Sequence, residues 1–154
     1  IMGIAALILW LLTAGGGFFL LATWITKGGA RQPSSSHLPP PVVFGHFLLA
    51  AAGLVVWIVY LVIDNDVLAW VGFVLLLPVA LLGFVMFFRW LPVFRARTAN
   101  QAAVSHAAAN PAGASETAEP AERHFPVAIV GGHGVLAVAT LVLVLLTALG
   151  VGGS

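Results

Sequence analysis

Four long apolar stretches, at about 4–25, 41–63, 67–90 and 125–151, constrain this chain more than any other feature. Each reaches the roughly 20 residues a helix needs to cross the hydrocarbon core of a bilayer. In that solvent every backbone N–H and C=O must be satisfied within the chain, so such a stretch reads as an α-helix. Charge is scarce: 7% of residues are Asp, Glu, Lys or Arg and 61% are hydrophobic, against roughly 25% charged residues in a soluble domain. Mean hydropathy is +1.10. The expectation is an all-α, integral membrane four-helix bundle, up-and-down, forming a single membrane domain over 1–154 and surrounded by membrane lipid. The first stretch is too long for the apolar part of a signal peptide and has no basic residue before it, so it reads as a retained helix.

All six basic residues, Lys27, Arg31, Arg89, Arg95, Arg97 and Arg123, fall near or within the first and third connections. The second connection, Asp64-Asn65-Asp66, carries only acids. Basic residues close to helix ends are retained in the cytoplasm, which predicts both termini outside and cytoplasmic loops at 27–40 and 91–124. The segment from about 98 to 123 is small, polar and broken by Pro and Gly, and reads as a flexible loop with His106 solvated in it. The prolines of "HLPPP" at 37–41 suit an extended approach followed by a first helical turn.

The chain repeats itself. "HLPPPVVFGH" at 37–46 and "HFPVAIVGGH" at 124–133 share H-x-P-x5-G-H, in a sequence with five histidines. "GFFLLATW" at 17–24 and "GFVMFFRW" at 83–90 share G-F-x5-W, and "GHFLLA" matches "GHGVLA". The elements occur in the same order in 1–63 and 67–154, so each half reads as a helical hairpin. Two hairpins in a parallel repeat imply a pseudo-two-fold axis along the membrane normal.

That axis brings His46 and His133 to equal depth, about 10 Å inside the cytoplasmic end. Ionisable side chains inside membrane helices are costly and mark function. Neutral imidazole is a good metal donor when its other nitrogen is tied to a carbonyl. Two histidines alone leave a bare ion under-coordinated, with no carboxylate or thiol nearby. A flat macrocycle would supply the missing donors, and Gly45, Gly131, Gly132 and Gly134 would clear side chains beside it. The favoured expectation is one haem b, with His46 and His133 as axial metal ligands. His37 and His124, beside Arg31 and Arg123 at headgroup level, are candidates to hydrogen-bond its propionates or to ligate a second, more exposed group.

In "FGHFLLA" and "GGHGVLA" the chain resembles the membrane cytochromes b, which hold haem between histidines on separate helices of a four-helix bundle, with glycines where the ring packs. The resemblance implies an electron-transfer membrane subunit. It departs from the cytochrome b561 pattern of two haems on opposite sides of the membrane, because both intramembrane histidines lie on one side. One haem so placed leaves roughly 15–20 Å of bilayer, which calls for a quinone, a second haem or other membrane subunits of a redox complex.

Two other functions fit the same residues. Two chlorophyll-type pigments, one on each of His46 and His133, would make an accessory subunit of a photosynthetic complex. In a cofactor-free scaffold, Gly-His would instead pack the second and fourth helices closely. Gly15-Gly16-Gly17 and Trp24 and Trp90 have structural readings, as close helix packing and as an interfacial aromatic belt. Tyr60 and Trp57 could border a quinone, but amphipathic anchoring is the stronger reading. Asp64 and Asp66 read as solvated caps. The absence of cysteine excludes disulfides, thiolate clusters and covalent haem attachment. No nucleophile–base–acid set supports a hydrolase or transferase. A net charge of +1 without a basic stripe leaves no nucleic-acid partner.

Overall fold

A computed structural model describes residues 1–31, 33–107 and 119–152. Helix α1 spans Met2–Thr26, α2 Pro40–Ile63, α3 Asp66–Ala107 and α4 Val127–Ala148, with a 3-10 turn at Ala121–His124 before α4. All four helices are long and apolar enough to cross a membrane. Between 11% and 17% of the residues in each apolar window are buried inside the protein. The rest present Leu, Ile, Val and Phe outward, among them Leu48, Val62, Leu81, Phe88 and Val135.

Local chemistry sets the helix ends. Pro39 and Pro126 are the N-caps of α2 and α4, with nearly identical extended dihedrals (φ −64°, ψ 131° and φ −65°, ψ 130°). The residues before them, Leu38 and Phe125, are buried in one cluster with Val43, and Val130 packs against it. Those are the N′ and N4 positions of the two helices, so the spacing is that of a hydrophobic staple. At the far end of α2, Asp64 adopts a left-handed conformation (φ 56°) and its N–H bonds the Tyr60 carbonyl at 2.8 Å. Asn65 Oδ1 then accepts the Val67 N–H at 3.0 Å and caps α3. Two residues, Asp64 and Asn65, thus suffice for the α2–α3 turn.

Helix α3 runs well past the expected boundary at residue 90. It contains both Pro78 and Pro92 and continues through the stretch expected to open a flexible loop at 98. His106 lies in its last turns. The polar composition from 98 onward reads as a loop, but 98–107 holds four Ala and one Gln, good helix formers, and neither Gly nor Pro. Residues 108–118 of the expected loop lie outside the described residues.

Helix α2 packs most closely on α3 and α1 on α4; contacts between α1 and α2 and between α3 and α4 are slighter. Among the described residues α2 and α4 lie across a diagonal, as do α1 and α3. Two buried clusters fill the interior. One gathers Trp10, Trp57, Tyr60, Leu76 and Val144 towards the end that holds the termini and the 64–66 turn; Trp57 donates its indole N–H to the Gly3 carbonyl there at 3.1 Å. The other gathers Trp24, Trp90, Leu38, Val43 and Phe125 at the opposite, arginine-bearing end.

Trp24 and Trp90 are therefore core residues, 1% and 5% exposed, and not the outward-facing belt expected from sequence. Residues 27–31, 33–39 and 119–126 fold back over this end and cover them. Gly29 is the closest point of that cover: a Cβ there would lie 2.3 Å from two atoms of the Trp24 indole. A rigid ring cannot yield that distance, so Gly29→Ala must lift the linker off Trp24. The expected outcome is a destabilisation of about 1–3 kcal/mol, read as a lower Tm in detergent, with protease cleavage appearing within 27–39. An unchanged Tm would show that the linker is not seated on Trp24.

Candidate functional site

Between the two clusters lies a polar pair in an apolar interior. His46 stands six residues in from the first residue of α2, and His133 six in from the first residue of α4. At 1.5 Å per residue both are about 9 Å along their helices. Their ring centroids are 6.3 Å apart and their planes cross at 65°. Side chains on diagonal helices thus converge on one small volume.

Each ring is oriented by the helix packed most closely on its own. His46 Nδ1 lies 2.9 Å from the Val79 carbonyl of α3, and His133 Nδ1 2.8 Å from the Thr13 carbonyl of α1. A carbonyl can only accept, so Nδ1 carries the proton in both rings. In a neutral imidazole that leaves the Nε2 lone pair free, the tautomer suited to binding a metal.

Glycine faces both rings, at Gly17 and Gly83. A Cβ on Gly17 would lie 2.9 Å from His133 Cε1, and one on Gly83 3.3 Å from His46 Cε1. These are the first residues of the two G-F-x5-W matches, each four residues after the carbonyl that orients the ring. Added Cβ atoms at Gly131, Gly132 and Gly134 would meet nothing within 4 Å, and one at Gly45 only Leu82 at an ordinary 3.7 Å. Among the described residues the backbones of α2 and α4 do not pack against each other; the two helices approach through the rings of His46 and His133. Gly17, read from sequence as a plain packing residue, and Gly83 are the members that were missed. Their recurrence in the motif was the signal.

The outer histidines do not share a role. His37 Nδ1 lies 3.1 Å from Glu122 Oε1, and its backbone N–H donates to the same oxygen at 2.5 Å. Glu122 is fully buried. Its other oxygen accepts the Ser36 hydroxyl at 2.7 Å, and Ser36 Oγ in turn accepts the Trp24 indole N–H at 2.9 Å and the Leu38 N–H at 3.1 Å. Arg89 of α3 donates to the His37 carbonyl. His124 is exposed; partial burial, with Lys27, Arg123 and Arg97 nearby, lowers its pKa below the usual histidine value. Arg123 pairs with Glu119, and Arg31 is exposed, its aliphatic stem near Gly28. Arg97 reaches the carbonyls of Arg123 and Phe125 at 3.1 and 3.3 Å. Glu122 was not singled out by sequence, since nothing local marks one acid beside an arginine as buried.

Among the described residues no group of three or more His, Cys, Asp or Glu side chains is placed to hold a metal ion. What the interior offers a cofactor is two imidazoles, oriented alike and free at Nε2. No protein-family model, curated protein or solved structure matches this chain.

Proposed function

We propose that the chain is an integral membrane protein that binds one haem b between His46 and His133 and serves as an electron-transfer subunit of a larger redox complex. The observation that carries the proposal is the pairing of the two rings: 6.3 Å between centroids, with each Nδ1 committed to a carbonyl. Roughly 1.2 Å from ring centre to nitrogen plus about 2.0 Å from nitrogen to metal would put the centres of two imidazoles sharing one metal roughly 6.4 Å apart. Two histidines are too few for a bare ion but suffice for a metal whose other four donors come from a macrocycle. The same short separation favours one shared group over two separate pigments, and a half-buried polar pair within apolar helices disfavours a featureless scaffold.

His46 and His133 would hold the haem, and the group would supply outer-sphere electron exchange there. The residues of this chain would do the rest. His46 and His133 bind, the Val79 and Thr13 carbonyls fix tautomer and orientation, and the Trp24–Trp90 cluster under the linker keeps water from the near end. The site lies about 9 Å from one end of the bundle, so electrons crossing the bilayer would pass to a quinone or a partner subunit. The test is the reduced-minus-oxidised spectrum of the purified protein, in which a b-type α-band is expected; its absence after expression with ample haem would reject the assignment.

The matched roles of α1 and α3 support reading the bundle as two fused hairpins about a pseudo-two-fold axis along the membrane normal. The arginine-rich end would face the cytoplasm, with both termini outside. The chain has no cysteine, so single cysteines report topology directly. In right-side-out vesicles, Asp66→Cys should react with an impermeant maleimide and Ser34→Cys only after permeabilisation. The reverse pattern would invert the orientation, and labelling of both without permeabilisation would reject insertion.

A further inference from the structure

We infer that Gly17 and Gly83 are positioning residues. Together with the carbonyls one turn before them, they set the planes of the two imidazoles, so the electronic properties of the site are controlled by the helices that do not carry the histidines. The inference deepens the haem reading and rests on it for its spectroscopic consequences.

The geometry is the same at both rings. On α1, the Thr13 carbonyl receives His133 Nδ1–H at 2.8 Å while Gly17, four residues on, faces the same ring across Cε1. On α3, the Val79 carbonyl receives His46 Nδ1–H at 2.9 Å while Gly83 faces Cε1 of that ring. Four residues on a helix is one turn, so carbonyl and glycine lie one above the other on a single face. The imidazole fits against that face with Nδ1 on the carbonyl and the adjacent Cε1 over the bare glycine Cα.

A ring held by one hydrogen bond can still swing about it. The flat glycine surface allows the edge to settle against the helix, where a methyl group would hold it off. The Cβ distances rank the two positions. At 2.9 Å, Gly17 leaves no space for a methyl without moving the ring; at 3.3 Å, Gly83 leaves slightly more. The ring that moves carries its Nε2 with it. A changed angle between the ring planes, now 65°, alters how the two ligands overlap the metal orbitals, and a lengthened Nδ1–carbonyl bond lowers ligand basicity. Gly131, whose Cβ would meet nothing within 4 Å, provides a matched control on α4.

The experiment compares Gly17→Ala, Gly83→Ala and Gly131→Ala with the parent, using full-length protein in detergent. In the haem-loaded protein the readouts are the largest g value of the low-spin ferric EPR signal, which depends on the angle between the imidazole planes, and the midpoint potential. In 15N-histidine-labelled protein without haem the readout is the pair of ring nitrogen shifts, which report the Nδ1–H···O=C bond directly. Gly17→Ala should shift all of them, with the 15N change at His133. Gly83→Ala should shift them less, with the 15N change at His46, and Gly131→Ala should leave the 15N shifts of the haem-free protein where they are. Should Gly17→Ala fail to fold, the less crowded Gly83→Ala carries the test. Unchanged 15N shifts in a folded Gly17→Ala or Gly83→Ala protein, or equal changes in Gly131→Ala, would overturn the inference. A protein that never takes up haem would overturn the functional reading alone, because the 15N comparison still decides whether the glycines position the rings.

Discussion

Replacing both His46 and His133 with alanine should remove the b-type absorbance completely, and either single replacement should lower haem retention by about 100-fold or more. Outer partners of metal-binding histidines already contribute about 10- to 100-fold to affinity, and loss of the ligand itself costs at least as much. The fold should survive. Each imidazole makes one hydrogen bond, to a carbonyl within a helix, and that carbonyl retains its place in the regular i→i+4 ladder when the imidazole is gone. Alanine is also the better helix former, by a few tenths of a kcal/mol. The comparison is therefore between a folded protein with haem and a folded protein without it, checked by far-UV circular dichroism beside the reduced-minus-oxidised spectrum. His124→Ala, at an exposed position away from the pair, should keep full haem content. An α-band that persists in the double variant would place the haem elsewhere in the protein or in a contaminant.

The second large effect is expected at Glu122, far in sequence from everything it holds. Its carboxylate is fully buried and accepts the Ser36 hydroxyl and the His37 backbone N–H, and Ser36 relays the contact to Trp24 and Leu38. Glu122→Ala would leave the backbone N–H of His37 and the Ser36 hydroxyl without their acceptor. Hydrogen bonds to a charged group contribute about 1.5–3 kcal/mol each, and an unsatisfied buried donor costs about 1–3 kcal/mol. Some water will enter at this end, so a net loss of about 2–4 kcal/mol is expected. Glu122→Gln, which keeps one acceptor oxygen but adds an amide N–H₂ with no acceptor assigned to it, should fall between parent and alanine. Thermal denaturation in detergent ranks the three, and limited proteolysis within 27–39 locates the damage. Equal stability of Glu122→Ala and the parent would mean that the linker is held by apolar contacts alone.

The helices and their starts were legible because each is a local matter. Run length in apolar solvent dictates a helix, and Pro39 and Pro126 mark the starts of α2 and α4 within a residue or two of expectation. The matched histidines were legible for the same reason: two copies of one ten-residue pattern put His46 and His133 at equal distance from two equivalent caps. The end of α3 departs from expectation because polarity alone does not break a helix: 98–107 is polar but Ala-rich and has neither Gly nor Pro. Trp24 and Trp90 were misplaced because sequence shows that a tryptophan is near a helix end but not what folds over it.

Four helices, a repeated pair of histidines and a concentration of arginines at one end all follow from composition and spacing along the chain. The groups around each histidine come from packing between helices: the Thr13 carbonyl and Gly17 on one side, the Val79 carbonyl and Gly83 on the other. Tertiary packing also buries a carboxylate beside Arg123 under a linker more than eighty residues away. The physical reason is the uniformity of the helices. Apolar on every face, they carry no stripe to say which neighbour each will choose, so the partners emerge only when the packing of α1 on α4 and of α2 on α3 is seen.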